Sequence, residues 1–75
     1  MKPYKALSGD SGVSAYEVGR DSITLEFKDT RTYVYNYRVP GMKEVEAMKK
    51  LAPKGRGLAT FVNKHVRNRY AARLR

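Results

Sequence analysis

The chain of 75 residues contains no cysteine. This excludes a disulfide framework, a zinc site with thiolate ligands and a catalytic thiol. No apolar run approaches the ~20 residues that a membrane-spanning helix needs. The first residues, Met1-Lys2-Pro3-Tyr4-Lys5, are not followed by the apolar segment of a secretory signal. We therefore expect a soluble, cytoplasmic protein without a membrane partner.

The residues that catalysis uses are also scarce. His65 is the only histidine, and its spacing places it in the apolar stripe of a predicted helix, so we expect it to be partly buried against a sheet. The serines follow no nucleophile motif, and the acidic residues lack the spacing of metal ligands. The loop Lys54-Gly55-Arg56-Gly57 lacks the full P-loop pattern and a preceding strand. The sequence indicates no enzyme, no catalytic or metal-binding residues and no cofactor.

Acidic side chains are few in the second half of the chain. Residues 1–37 carry five basic and five acidic side chains, whereas residues 38–75 carry eleven basic and two acidic ones, which accounts for the net charge of +9. Such asymmetry favours a polyanionic partner: nucleic acid, an acidic protein or an anionic membrane surface. The membrane ranks last, because a sheet is expected to cover the apolar stripe of the last helix. The alternative that this half of the chain is simply a basic surface without a specific ligand stays open.

The first half of the chain predicts three strands. Residues 1–10 are expected to be a loosely ordered lead-in, ordered only where Tyr4 or Leu7 packs. Residues 11–18, 22–28 and 32–37 follow as strands, because apolar residues alternate along them and turn residues separate them. The short turns imply an antiparallel meander. The first strand has few β-branched residues, so we expect it to be an edge.

Tyr33, Tyr35 and Tyr37 alternate and therefore share one face of the third strand. If Phe27 lies opposite Tyr33, the three tyrosines share the apolar face of the second strand. If Phe27 lies opposite Thr32, they share its polar face. The second register turns Asn36 into a small core, where an unsatisfied amide costs about 1–3 kcal/mol. We therefore favour tyrosines on the core side.

The second half of the chain predicts two helices. Apolar residues recur at three- to four-residue spacing over residues 42–51, and Pro53 is expected to end that helix. Residues 58–67 form the second predicted helix. A sheet with both helices on one face is the economical arrangement. The expected fold is thus α+β, with the order β-β-β-α-α and a single domain over residues 11–75.

Several segments together resemble a known family, the KTSC domain, named for its occurrence at the C-terminus of some lysyl-tRNA synthetases. The resemblance runs from about Ser11 to Tyr70. It rests on the apolar alternation that ends at Phe27 and on four motifs: Tyr33-Val34-Tyr35, Val39-Pro40, Lys54-Gly55-Arg56 and Asn63-Lys64-His65-Val66-Arg67-Asn68-Arg69-Tyr70. The interval from Gly55 to Asn63 is longer here than in the short family form. The family also includes small stand-alone bacterial and phage proteins. Its function is not established, and the resemblance implies nucleic-acid binding through its company with a tRNA-handling enzyme.

The leading functional hypothesis is nucleic-acid binding, with RNA favoured. Basic side chains of the loop, the last helix and the tail are expected to contact phosphates, and a tyrosine beside them to stack on bases. The candidate residues are Lys54, Arg56, Lys64, Arg67, Arg69, Tyr70, Arg73 and Arg75. Tyr37, beside Arg38, is a further candidate for stacking. The alternative is a protein-interaction module that binds an acidic surface of a larger protein. The oligomeric state stays open.

Overall fold

The computed structural model describes residues 1–7 and 12–75. Within them the chain is α+β, with an antiparallel sheet and two helices, as expected. The elements are β1 (Lys2–Pro3), β2 (Val13–Val18), β3 (Ser22–Phe27), β4 (Thr32–Asn36), α1 (Met42–Lys54), α2 (Leu58–Phe61), a π-helical segment (Val62–Val66) and β5 (Ala72–Arg73). The second helix consists of α2 and the π-helical segment that continues it.

The described part of the sheet has five strands, so the expectation of three was wrong. Their spatial order is β1-β2-β3-β4-β5, and every neighbouring pair is antiparallel. The two additional strands have two residues each, which is too short for any alternation to show in the sequence. Because β1 pairs with β2, the first predicted strand is not an edge. The edges are the two short strands, which limits pairing with other chains.

The described part of the lead-in is held to the sheet. Tyr4 is buried, and its backbone N–H donates to the Ser14 carbonyl at 3.0 Å. Its hydroxyl accepts a hydrogen bond from the Leu58 N–H at 3.3 Å. Tyr4 therefore packs against the domain, which is one of the two contacts that we expected to order the lead-in. Residues 8–10, and Ser11 at the start of the first predicted strand, lie outside the described residues.

The tyrosines of β4 lie on the core side of the sheet, as favoured from the sequence. Tyr35 lies opposite Ile23, and Tyr33 lies opposite Leu25 rather than Phe27. The expected register was therefore wrong by two residues, a shift that leaves every side chain on the same face. The reason is the hairpin loop, in which the Phe27 N–H donates to the Arg31 carbonyl at 2.8 Å.

Helix α1 extends to Lys54, past the expected end at Leu51. Pro53 lies in the last turn, where its missing N–H removes a single helical hydrogen bond, so the helix continues for one more residue. Gly55 ends it, with a left-handed φ of 70° and a hydrogen bond from its N–H to the Ala52 carbonyl. This is the usual role of glycine after a helix.

The second helix widens in its last turn. The Arg67 N–H donates to the Val62 carbonyl at 2.7 Å, which is the five-residue spacing of a π turn. Val62 and Val66 remain buried, but the wider turn rotates His65 out of the apolar stripe. His65 is exposed and its ring packs on Phe61, with centroids 4.6 Å apart. The expectation that His65 is partly buried against the sheet was wrong.

Both helices cover one face of the sheet. One cluster of buried side chains joins Ile23, Leu25 and Tyr35 of the sheet to Val45 of α1 and Val62 of the second helix. The opposite face of β3 carries polar residues, as the alternation predicted. The core therefore lies between two layers, and the tail from residue 67 onwards returns to the far edge of the sheet.

Candidate functional site

A concave recess of about 350 Å³ lies on the helix side of β4, where the second helix ends and the tail begins. We call it the tyrosine recess. Its lining residues are Phe27, Arg31, Tyr33, Tyr35, Val62, Asn63, Arg67, Asn68 and Tyr70. The lining combines aromatic rings with two guanidinium groups, two amides and three hydroxyls.

Two chain segments build this recess. Arg31, Tyr33 and Tyr35 alternate along the end of the hairpin and β4, so their side chains point to the same side. Tyr70 comes from the tail and packs on Tyr33, with ring centroids 4.4 Å apart. The tail is fixed there because the Ala71 N–H donates to the Val34 carbonyl at 2.7 Å, immediately before β5 pairs with β4.

Tyr35 forms the floor of the recess. It is only 1% exposed and it lines the recess, and no buried side-chain N or O atom within the described residues lacks a hydrogen-bond partner. Burial, and next the neighbouring Tyr33 and Tyr70, raise the pKa of Tyr35 to about 12. The hydroxyl is therefore protonated at neutral pH, and it can donate to an acceptor in the recess.

Arg31 contributes a positive charge at the hairpin end of the recess. Its Nε donates to Asp29 Oδ2 at 2.6 Å, and this hydrogen bond, followed by the charge of Asp29, raises the pKa of Arg31. The nearby Tyr33 raises the pKa of Arg31 to a smaller extent. Some loss of hydration raises the pKa of the Asp29 carboxyl, but the hydrogen bonds from Arg31 and its charge outweigh this, so the pKa is lowered overall. This exposed pair uses the Nε of Arg31, so the two terminal nitrogens are not engaged by Asp29.

The structure brings three of the eight candidate residues together at the recess. Arg67 and Tyr70 line it, and the Arg73 guanidinium lies 5.8 Å from the centroid of the Tyr33 ring. Arg75 lies beyond Arg73 on the tail, and its carbonyl accepts from Arg73 Nε at 3.1 Å. The cation near an aromatic face adds a favourable electrostatic contact.

The other candidates lie elsewhere. Arg69 is bound through Nη2 to the Pro40 carbonyl at 3.1 Å. Lys54 and Arg56 flank Gly55, whose carbonyl accepts from the Leu7 N–H at 2.7 Å, so they lie beside the N-terminal segment. Lys64 is exposed on the π-helical segment but does not line the recess. The Leu58 N–H, at the start of α2, is occupied by Tyr4 and does not form part of a phosphate-binding loop.

The basic candidates share one electrostatic property. All seven are exposed, and within the described residues none of them forms an ion pair. They are Lys54, Arg56, Lys64, Arg67, Arg69, Arg73 and Arg75. The ion pairs found there involve Asp29 with Arg31, Glu46 with Lys49 and Glu17 with the N-terminal amine. The positive charge of this surface is thus left uncompensated by the chain.

Sequence reasoning missed the part of the recess that comes from the neutral half of the chain. Arg31 was not a candidate, although its two-residue spacing from Tyr33 predicts that the two share a face. Asn63 and Asn68 belong to the last motif of the family resemblance but were not candidates for the site, because they carry no charge and are not aromatic. Tyr37 is 37% exposed, but it donates to Glu46 Oε2 at 2.6 Å. It is therefore less available for stacking than expected.

A metal-binding cluster and a membrane-spanning helix are both absent from the described residues. No group of three or more acidic or histidine side chains there is placed to hold a metal ion. No helix in residues 1–7 and 12–75 has the length and apolar character to cross a bilayer. Comparison with known proteins adds no family: no protein-family model, curated protein or solved structure matches this chain.

Proposed function

We propose that this chain is a small, non-enzymatic, cytoplasmic domain that binds nucleic acid, with single-stranded or looped RNA favoured. The contacts are mainly to phosphates, and selectivity for sequence is low. The resemblance to the KTSC domain family agrees with this proposal. Its main support is the set of seven exposed basic side chains that have no ion-pair partner in the described part of the chain.

Phosphate contacts are favoured over base stacking for a geometric reason. The rings of Tyr33 and Tyr70 pack on each other, and Phe27 packs edge-on against Tyr33 with centroids 5.8 Å apart. Much of their aromatic surface is therefore used within the protein. The surface that these side chains and their neighbours expose to the recess is mostly polar. Such a surface suits phosphate oxygens better than the face of a base.

Single strands are favoured over duplexes by the shape of this surface. The basic side chains lie at the end of α1 and on the loop after it, on the end of the short second helix and on the tail. The one long helix among these elements, α1, packs on the sheet through Val45, Met48 and Ala52 and carries only Lys54 of the set, at its last residue, so it does not present a row of basic side chains to a major groove. A flexible strand can follow such a surface and a rigid duplex cannot.

The test is fluorescence anisotropy with a labelled single-stranded RNA of about ten nucleotides, a length within the usual site size. If about four basic side chains contact phosphates, log K falls with log salt at a slope near −3. A salt-independent affinity, or no affinity for RNA or DNA at low salt, contradicts the proposal. Single-stranded DNA of the same sequence measures the preference for RNA.

The alternative is binding to an acidic surface of a larger protein. Gel filtration of protein purified from a lysate, with and without nuclease, separates the two functions. Co-purifying nucleic acid that nuclease removes supports the proposal. A stoichiometric protein partner that resists nuclease supports the alternative.

A further inference from the structure

We propose that the tyrosine recess binds a terminal phosphate monoester, the phosphorylated end of a nucleic-acid strand. This inference rests on the proposed function and deepens it. It concerns binding only and includes no covalent step.

Every polar side chain of the recess lining can donate hydrogen bonds. The two guanidinium groups only donate, whereas the three tyrosine hydroxyls and the amides of Asn63 and Asn68 can both donate and accept. No carboxylate lines it. A lining that donates from several directions and carries positive charge is complementary to a phosphate group, which offers several acceptor oxygens.

The Tyr35 hydroxyl is available to a ligand in the recess. Tyr35 is only 1% exposed and lines the recess. No buried side-chain N or O atom within the described residues lacks a hydrogen-bond partner, so we infer that this hydroxyl, which bonds to none of them, is in contact with the open volume of the recess. There it can donate to a phosphate oxygen.

The charge at the recess suits a monoester better than a diester. Arg67 is exposed and forms no ion pair within the described residues, while Asp29 engages the Nε of Arg31 and leaves its terminal N–H groups. A monoester carries a charge of about −1.5 to −2 near neutral pH, whereas a diester carries about −1. A second guanidinium therefore attracts the monoester more strongly than it attracts the diester.

Shape also favours a strand end. The recess is concave, and its volume of about 350 Å³ is at the lower end of the range of ligand pockets. An internal phosphodiester has chain on both sides and passes over such a recess. A terminal phosphate has chain on one side only and can enter it.

The experiment compares strands of one sequence that carry a 5′-phosphate, a 3′-phosphate or hydroxyls at both ends. We expect one of the phosphorylated ends to bind about tenfold more tightly than the unphosphorylated strand, as hydrogen bonds to a charged group permit. Competition by adenosine monophosphate and by inorganic phosphate shows whether the recess requires a strand or accepts the free group.

Two substitutions locate the effect. Tyr35→Phe removes only the hydroxyl, and it should lower the preference for the phosphorylated strand to within about twofold. The matched control is Tyr16→Phe, another buried tyrosine, which lies outside the recess lining and should keep the preference. Arg67→Gln, at an exposed position, should reduce the preference as well. Arg56→Gln, with the same charge change away from the recess, should lower the affinity for all strands by the same factor.

The outcomes separate this inference from the proposed function. Equal binding of all strands to the unsubstituted protein overturns the phosphate site and leaves the proposed function in place. A preference that Tyr35→Phe and Arg67→Gln both leave unchanged also overturns the site. If no strand binds, nuclear magnetic resonance titration with adenosine monophosphate shows whether the recess binds a phosphate monoester. Shifts of the Asn63 and Asn68 side-chain amides then support a phosphate site without a polynucleotide, and their absence overturns it.

Discussion

The ring of Tyr70 packs on the ring of Tyr33 with centroids 4.4 Å apart and an angle of 39° between the planes. This contact joins the tail to β4 just before the two pair as strands. It therefore helps to position Arg67, which lines the recess, and Arg73, whose guanidinium lies 5.8 Å from the centroid of the Tyr33 ring. The stability of the tail and the shape of the proposed site depend on the same pair of rings.

We predict that Tyr70→Ala lowers the free energy of unfolding by about 1–2 kcal/mol, because a half-buried aromatic pair is lost. Urea unfolding measures the change. The matched control is Leu74→Ala, on the same tail but 63% exposed, for which we expect a change within about 0.5 kcal/mol. Equal effects of the two substitutions would show that the ring contact does not hold the tail.

The central part of the fold was predictable from the sequence. Ile23 and Leu25 alternate with polar residues, and that period specifies which face of β3 is buried. The same period placed Tyr33 and Tyr35 on the core side. The hydrogen-bonding cost of burying Asn36 favoured this choice, and in the structure Asn36 Oδ1 instead accepts from the N–H groups of Arg38 and Val39 at 2.9 Å.

The edges of the sheet and the recess were not predictable in the same way. Strands of two residues, such as β1 and β5, have no period and form only because the rest of the fold brings them to an existing edge. The π turn has no distinct sequence pattern, yet it decides the orientation of His65 and Asn63. The distribution of charge predicted binding residues only in the basic second half of the chain. Arg31 belongs to the neutral first half and lines the recess because the hairpin places it there.

We predict that Gly55→Ala destabilises the protein more than Gly57→Ala. Both glycines have a positive φ, 70° and 79°, so each substitution strains the backbone by roughly 1 kcal/mol. At Gly55 the added Cβ would also lie 3.1 Å from Lys5 Cβ and 3.2 Å from Leu7 Cγ, whereas at Gly57 the nearest atom is 3.7 Å away.

The difference between the two alanine variants in urea unfolding thus measures the packing of the N-terminal segment against the loop after α1. Equal destabilisation would contradict the close approach of Lys5 and Leu7 to Gly55. A larger loss at Gly57 would contradict it more strongly.

We predict that Tyr35 titrates late and that its titration reduces stability at high pH. Its pKa is about 12 in the folded chain, against an ordinary value of 10.0. Between these values the unfolded chain loses this proton and the folded chain retains it, so stability falls as pH rises through the window and is fully retained below it.

Tyrosinate absorbance during alkaline titration and unfolding at a series of pH values measure the two effects. Tyr35→Phe should remove the late phase and flatten the decline in stability, whereas Tyr16→Phe should keep the late phase. Persistence of the late phase in Tyr35→Phe would assign it to another tyrosine.

The salt dependence of RNA binding by matched charge variants tests the central claim most directly. We compare Arg67→Gln/Arg73→Gln, beside the recess, with Lys43→Gln/Lys50→Gln, at exposed positions of α1 outside the candidate surface. Both pairs lower the net charge by the same amount. The slope of log K against log salt should become less negative by about 1.4 for the arginine pair, since each lost phosphate contact to a single strand removes about 0.7. It should stay unchanged for the lysine pair. The same change in both variants, or none in the arginine pair, would contradict nucleic-acid binding at this surface.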